Sequence, residues 1–299
     1  MFYAFFAPWD SLPVTVTPLT SSLDDSLINR AAPAGSMRYF ALLYTPAEMR
    51  DAVTALYVID AEIRESAQSA NHDVAHTRLQ WWRQEVDRLV NGNAQHPATK
   101  ILGDLPGVDR KQFARLHELI VAADMDLARM TYLNAKELRA YSGRSGGTVQ
   151  ELIAIVMSPG PVAEPVLKAA NRLGVGIRQT EMLRDVRQDA YDGRLYLPLE
   201  DLQRTAVSID DLRSKDISGK VRTALKDFRT LTLPDLVDPG TDLEPAAKAY
   251  LRPVFVLAGL HRRLLDRIAG RNYEVATQRI ELGPLEKPWT AWRAARRAR

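Results

Sequence analysis

The chain predicts an all-α fold in a single helical domain, and three observations carry that prediction. Apolar residues recur at three- and four-residue spacing along most of the sequence. No segment of useful length alternates with period two, so no sheet is expected. At 299 residues and 46% apolar composition, the chain is long enough to bury a sizeable core as one unit.

Residues 1–25 are rich in Pro, Thr and Ser and read as a loosely ordered arm before the domain at 26–285. Asp24 to Ala32 reads as a short helix. Thr45, Pro46 and Glu48 form a capping-box start for a helix running to about Ser69, with Ala52, Ala55, Leu56, Ile59 and Ile63 as its buried stripe. Within that helix Asp60 and Arg64 are spaced for an ion pair, while Asp60, Glu62 and Glu65 lie on different sides. Thr77–Leu89 is amphipathic, with Leu79, Trp82, Val86 and Leu89 on one face, and Asn91-Gly92-Asn93 ends it. The Trp81-Trp82 pair reads as core packing. Further helices are predicted at 96–103, 109–131, 135–158, 163–190, 198–203, 208–229, 243–269 and 272–279. Gly143, Gly146 and Gly147 fall inside a helical pattern, where each costs about 1 kcal/mol relative to Ala; a close helix approach or a break is expected there. Gly174 and Gly176 allow a similar contact. Asp124 and Asp126, two apart, point to different faces and read as surface acids.

Composition narrows the function. The chain has no cysteine and only five scattered histidines, which leaves no disulfide and no zinc-ligand spacing. A net charge of +3, from 40 basic and 37 acidic residues, argues against a molecule-wide nucleic-acid surface. No segment is apolar for the ~20 residues a membrane span requires, so a cytoplasmic protein is expected. The aromatic start Met1–Trp9 lacks a basic region and is broken by Pro8, which is not the pattern of a signal peptide. The basic tail at 286–299 follows Trp289 and Trp292 with four arginines. That composition suits anionic lipid headgroups, but a frayed, solvated end is the more expected reading.

The most informative segment runs from Glu181 to Pro198. Asp185 and Asp189, four apart on a helix, present two carboxylates on one face, with Arg184 and Arg187 beside them. Mg2+ takes one or two carboxylates plus phosphate oxygens, and guanidinium groups add bidentate phosphate contacts. Such a spacing alone arises often from solvated acids.

The wider string Leu183-Arg184-Asp185, Asp189, Gly193-Arg194, Tyr196 and Pro198 resembles the second aspartate-rich motif of the squalene/phytoene synthase family. Further pieces are similar in family order. They are Ser36–Arg50 with Tyr39, Phe40 and Pro46; Ala55-Leu56-Tyr57; Leu79-Gln80-Trp81-Trp82-Arg83-Gln84-Glu85; Asp124–Leu127 with Glu137, Leu138 and Tyr141; and Asn272–Leu282. The resemblance covers about residues 36–285. It implies a helical bundle of the isoprenoid synthase type around a central cavity, in which two Asp-rich helices hold Mg2+ and a prenyl diphosphate. Asp185 and Asp189 would hold the metal; Arg184, Arg187, Arg194 and Tyr196 would meet the substrate.

The chain departs from that pattern at decisive places. Arg64 and Gln68 stand where active members carry the first Asp-x-x-x-Asp. Arg144 stands where a second Tyr is usual, Arg178 where Gln is usual, and Glu181 where Asn is usual. Two readings follow. One is a prenyltransferase condensing two farnesyl or geranylgeranyl diphosphates. The other is a catalytically degenerate member that serves as an assembly factor or isoprenoid- or protein-binding scaffold, since residues 55–85 are similar to a branch that includes assembly factors for respiratory complex I. No nicotinamide-binding Gly-rich fingerprint supports a reductive second step.

Overall fold

The computed structural model describes residues 23–237 and 243–297, and these form an all-helical bundle with no strand among them. The Met1–Trp9 segment and nearly all of the predicted N-terminal arm lie outside the described residues. Three short helices lead in: α1 (Asp25–Ala31), α2 (Met37–Leu43) and a 3-10 turn at Ala47–Met49. Asp24 caps the first and Ser36 the second, each side chain accepting from a first-turn backbone N–H. The capping box expected at Thr45 does not form. The Thr45 hydroxyl is buried and donates back to the Ala41 carbonyl at 3.2 Å, so the long helix α3 (Arg50–Ala67) starts after the 3-10 turn.

The stripe expected on α3 is buried, and so are Val53, Thr54, Tyr57, Val58 and Asp60. This helix is therefore enclosed nearly all round by α1, α4 (His72–Val90), α5 (Pro97–Gly103), α6 (Leu116–Leu127) and α8 (Thr148–Met157). Glu85 shows how one buried acid fixes the junction of α4 and α5. Its carboxylate accepts from the Gln95 and His96 backbone N–H groups, both at 2.8 Å, and from the Thr99 hydroxyl and Arg88. Burial alone would raise this carboxyl; the donors outweigh it and hold it below its ordinary value. Trp82 is buried, as expected of core packing, while Trp81 stands 38% exposed.

The region predicted at 135–158 is one continuous rod, α7 (Ala135–Ser142), a π-helical turn at Gly143–Gly147, then α8. The glycines mark a close approach to α9 (Glu164–Tyr191): a Cβ on Gly146 would stand 2.5 Å from the Gly174 carbonyl oxygen. In the second half of the fold α11 (Ile209–Arg213), α12 (Gly219–Thr232) and α14 (Arg252–Gly270) pack on α9, while α10 (Leu199–Thr205) rests on α12 and α13 (Pro245–Tyr250) on α14.

Three expectations need correction. The predicted helix 208–229 is two helices, because Ser218 caps a new start at α12. Residues 272–279 are not helical: Asn272 and Tyr273 adopt left-handed backbone, with φ of 53° and 60°. Arg222 and Arg187 hold the Asn272 and Ala276 carbonyls that a helix would have used. The basic C-terminal segment is a helix rather than a frayed end, α15 (Glu286–Arg297), packed on α14 and α2.

Candidate active site

The long helix α9 presents Arg178, Glu181, Asp185 and Asp189 at intervals of three and four, so one stripe carries a cation followed by three carboxylates toward the middle of the bundle. Facing it are Arg64 of α3 and Gln68, the residue that ends that helix. Between them lies a polar cavity of about 120 Å³, lined also by Ala67, Asp126, Arg194 and Tyr196. Deeper in, a void of about 20 Å³ is bounded by Arg38, Gln150 and His261, and Arg64, Arg178 and Glu181 line both spaces. The central cavity is thus narrow and charged.

Arg64 organises the near wall. Its Nε donates to Asp60 at 2.7 Å, the pair expected from sequence, and its terminal nitrogens reach the Ser145 carbonyl at 2.7 Å and Glu181 at 3.6 Å. Asp60 is 1% exposed and also pairs with Arg38. Burial pushes the Asp60 carboxyl up, but the two guanidinium groups prevail and keep it below its ordinary range. Glu181 is shared by Arg64, by Arg178 at 3.4 Å and by His261 at 3.7 Å. Burial again opposes its charge; His261, Arg64 and Arg178 outweigh burial and hold it well below the carboxylate range. The His261 Nδ1 faces the Leu257 carbonyl at 2.8 Å, leaving Nε2 toward Glu181.

The far wall contains residues that sequence reasoning placed elsewhere. Asp126, read as a surface acid, accepts from the Tyr141 hydroxyl at 2.7 Å and the Tyr196 hydroxyl at 2.8 Å. The Arg178 guanidinium lies 5.3 Å from the Tyr196 ring centroid and donates to both phenols. Burial raises both phenols, Tyr141 to about 12, so both remain protonated donors. Only Asp124 keeps its expected surface role, paired with Arg83.

Of the predicted site residues, Asp185, Asp189, Arg194 and Tyr196 line the cavity together. Arg184 and Arg187 do not. Arg184 is almost wholly engaged by its neighbour Asp185, which Arg279 also grips bidentately at 2.9 and 3.1 Å. Arg187 is spent on the Arg213 and Ala276 carbonyls, at 3.1 and 2.9 Å, and holds the loop that closes the bundle. Arg144 likewise points away, to Glu118. Asp189 meets Arg194 at 3.5 Å; burial pushes its carboxyl up to about 6, while Asp185 is held low because Arg184 and Arg279 outweigh burial.

The donor set decides what metal the site suits. Two carboxylates on one wall would suit a single Mg2+ that retains waters and takes phosphate oxygens, with Asp185 exchanging its contacts to Arg184 and Arg279 for the metal. Among the described residues no group of three or more His, Asp or Glu side chains converges as a metal site. A metal cluster shared by both walls therefore does not fit, since the opposite wall is a guanidinium.

Comparison with known proteins identifies the family and the fold. Residues 31–286 match the family described as squalene/phytoene synthase. The chain is 29% identical to a chloroplastic phytoene synthase 2 of Zea mays over 253 residues, covering 82% of this chain and 62% of that protein. It spans about three fifths of the length of such plant relatives. A phytoene synthase of Mycobacterium tuberculosis is 28% identical over 257 residues, covering 85% and 84%. In structure the chain is similar to a dehydrosqualene synthase solved with a ligand, at a TM-score of 0.76 and 16% identity, covering 90% and 94% of the two chains. It also resembles a squalene synthase of Alicyclobacillus acidocaldarius, at 0.64 and 18%, covering 84% and 97%. A family match over most of its length, on the all-helical fold that these enzymes share, shows that the chain belongs to the squalene/phytoene synthase family.

Proposed function

We propose that this protein recognises prenyl diphosphates and acts in squalene/phytoene synthase-like condensation. The observation that carries the reading is the second-motif wall: Asp185, Asp189, Arg178, Arg194 and Tyr196 share one polar cavity at the centre of the family fold. Asp185 and Asp189 would hold one Mg2+, which supplies charge neutralisation to a departing diphosphate. Arg64 takes the place of the missing acidic wall and offers a fixed cation to the phosphate oxygens. Arg194 sits at the cavity rim, and the buried Tyr196 phenol holds Asp126 in place. A diphosphate entering here displaces the Arg64–Glu181 contact, which at 3.6 Å is the loosest of the ion pairs Arg64 makes.

A second reading rests on the size of the cavity. The cavity, at about 120 Å³, is below the ~300–1,000 Å³ of ordinary ligand pockets, and Arg64 fills the side where a second metal wall would stand. On that reading the chain keeps the scaffold and serves as a binding or assembly protein. Purified protein incubated with Mg2+ and radiolabelled farnesyl or geranylgeranyl diphosphate separates the two. Condensed lipid and released diphosphate, both lost in Asp189→Ala, support the transferase. Folded protein that binds neither diphosphate and releases no product supports the scaffold.

A further inference from the structure

The helix α15 is pinned on its inner side and leaves an unusual outer face. Ala291 and Ala295 are buried, and a Cβ on Gly259 of α14 would stand 2.8 Å from the Ala294 Cβ, so this side sits directly on α14. Glu286 is held by Arg263 at 2.6 Å and by Arg267, and the Lys287 Nζ donates to the Gly35 carbonyl at 2.9 Å. The start of the helix is therefore fixed to two separate parts of the bundle.

Trp289, Trp292, Arg293 and Arg296 are spaced i, i+3, i+4 and i+7 and share the opposite face. Trp289 is 59% exposed and Trp292 40%, their rings stacked with centroids 4.9 Å apart. Leu285, just before the helix, is 84% exposed. The Arg296 guanidinium lies 4.9 Å from the Trp292 ring centroid. Between Glu286 and Arg297 there are four basic residues and one acid, and that acid is already taken by Arg263 and Arg267. Basic residues in a last turn are explained by the helix dipole. Two stacked indoles held in water are not, because each forgoes burial of a large aromatic surface.

Indoles favour the level of lipid headgroups, and an amphipathic helix lying flat combines buried apolar groups with phosphate-pairing cations. An anionic bilayer supplies both complements, an apolar layer beneath a sheet of phosphates. We propose that the outer face of α15 docks this protein on an anionic lipid bilayer. Leu285, Trp289 and Trp292 enter the headgroup region, while Arg293, Arg296 and Arg297 meet lipid phosphates. The docking face is separate from the central cavity, and the proposal is independent of the function read there.

The test uses the full chain with phosphatidylcholine vesicles, with and without phosphatidylglycerol. Co-sedimentation is expected only with the anionic lipid, weakening as salt is raised, with a blue shift of indole emission and quenching by brominated acyl chains. Trp289→Ala with Trp292→Ala removes the quenching and most of the binding. Arg293→Glu with Arg296→Glu lowers partitioning by roughly 30-fold or more, from about 1 kcal/mol per basic residue near such a surface. These positions are exposed, and thermal melts establish that the variants fold. No sedimentation with anionic vesicles, sedimentation that both variants retain, or binding with unchanged indole emission would each overturn the proposal. Capture by a protein partner through the same face, without vesicle binding, would overturn it too.

Discussion

The charge of the central cavity rests on a few largely buried side chains that answer mainly to one another. Asp60 is shared by Arg38 and Arg64, and Glu181 by Arg64, Arg178 and His261. Removing Arg64 leaves Asp60 with Arg38 alone and Glu181 with Arg178 and His261, a loss of about 1.5–3 kcal/mol for the charged hydrogen bonds given up. Arg64→Ala is therefore expected to lower stability by that order in urea denaturation. An effect below 1 kcal/mol would show the network to be incidental. The pH dependence has a definite sign. Glu181 is held well below the ordinary 4.5 and Asp60 below the ordinary 3.8, so both add stability that is present above those values and is lost as pH falls through their folded pKa values. Thermal melts from pH 7 to pH 3 should show the loss, and Glu181→Gln should flatten it from a lower starting point. Asp189, raised to about 6, works in the opposite sense: it favours the folded state most below 3.8 and that favour is gone above about 6. Half of this site was legible as sequence. Asp185, Asp189, Arg194 and Tyr196 sit in one short string, and the i, i+3 and i+4 stripe through Arg178 and Glu181 was available from the same helix. Asp126 was not, because what makes it a site residue is a phenol 70 positions away in the chain.

Elements were read well where pattern alone decides them and poorly where distant contacts do. The glycines at 143–147 announced a constraint, and the structure gives its form: a π-helical turn pressed against α9 at Gly174. Gly146→Ala places a methyl 2.5 Å from a backbone oxygen, which a packed helix pair cannot yield cheaply. A destabilisation of about 1–3 kcal/mol is expected by chemical denaturation. A neutral result would mean that the two rods are free to separate there. The segment at 272–279 failed for the converse reason: arginines from α9 and α12 claim its carbonyls, and no local signal reports that. The tail at 286–297 carries helix-forming alanines and arginines, yet its order depends on Glu286 and Lys287 tying it to the bundle.

At the scale of the molecule, family resemblance and physical layout point to the same centre and differ over its contents. The all-helical bundle is that of the squalene/phytoene synthase family, and the second-motif residues line its central cavity opposite Arg64. Among the described residues no helix is long and apolar enough to cross a membrane. The account depends on the cavity between α3 and α9 accepting a diphosphate. Isothermal titration of the folded protein with geranylgeranyl diphosphate, with and without Mg2+, tests this most directly. Binding strengthened by Mg2+, with the strengthening lost in Asp185→Asn and affinity reduced at least 10-fold in Arg64→Ala, is the predicted result. No binding of either geranylgeranyl or farnesyl diphosphate in the presence of Mg2+ would contradict it.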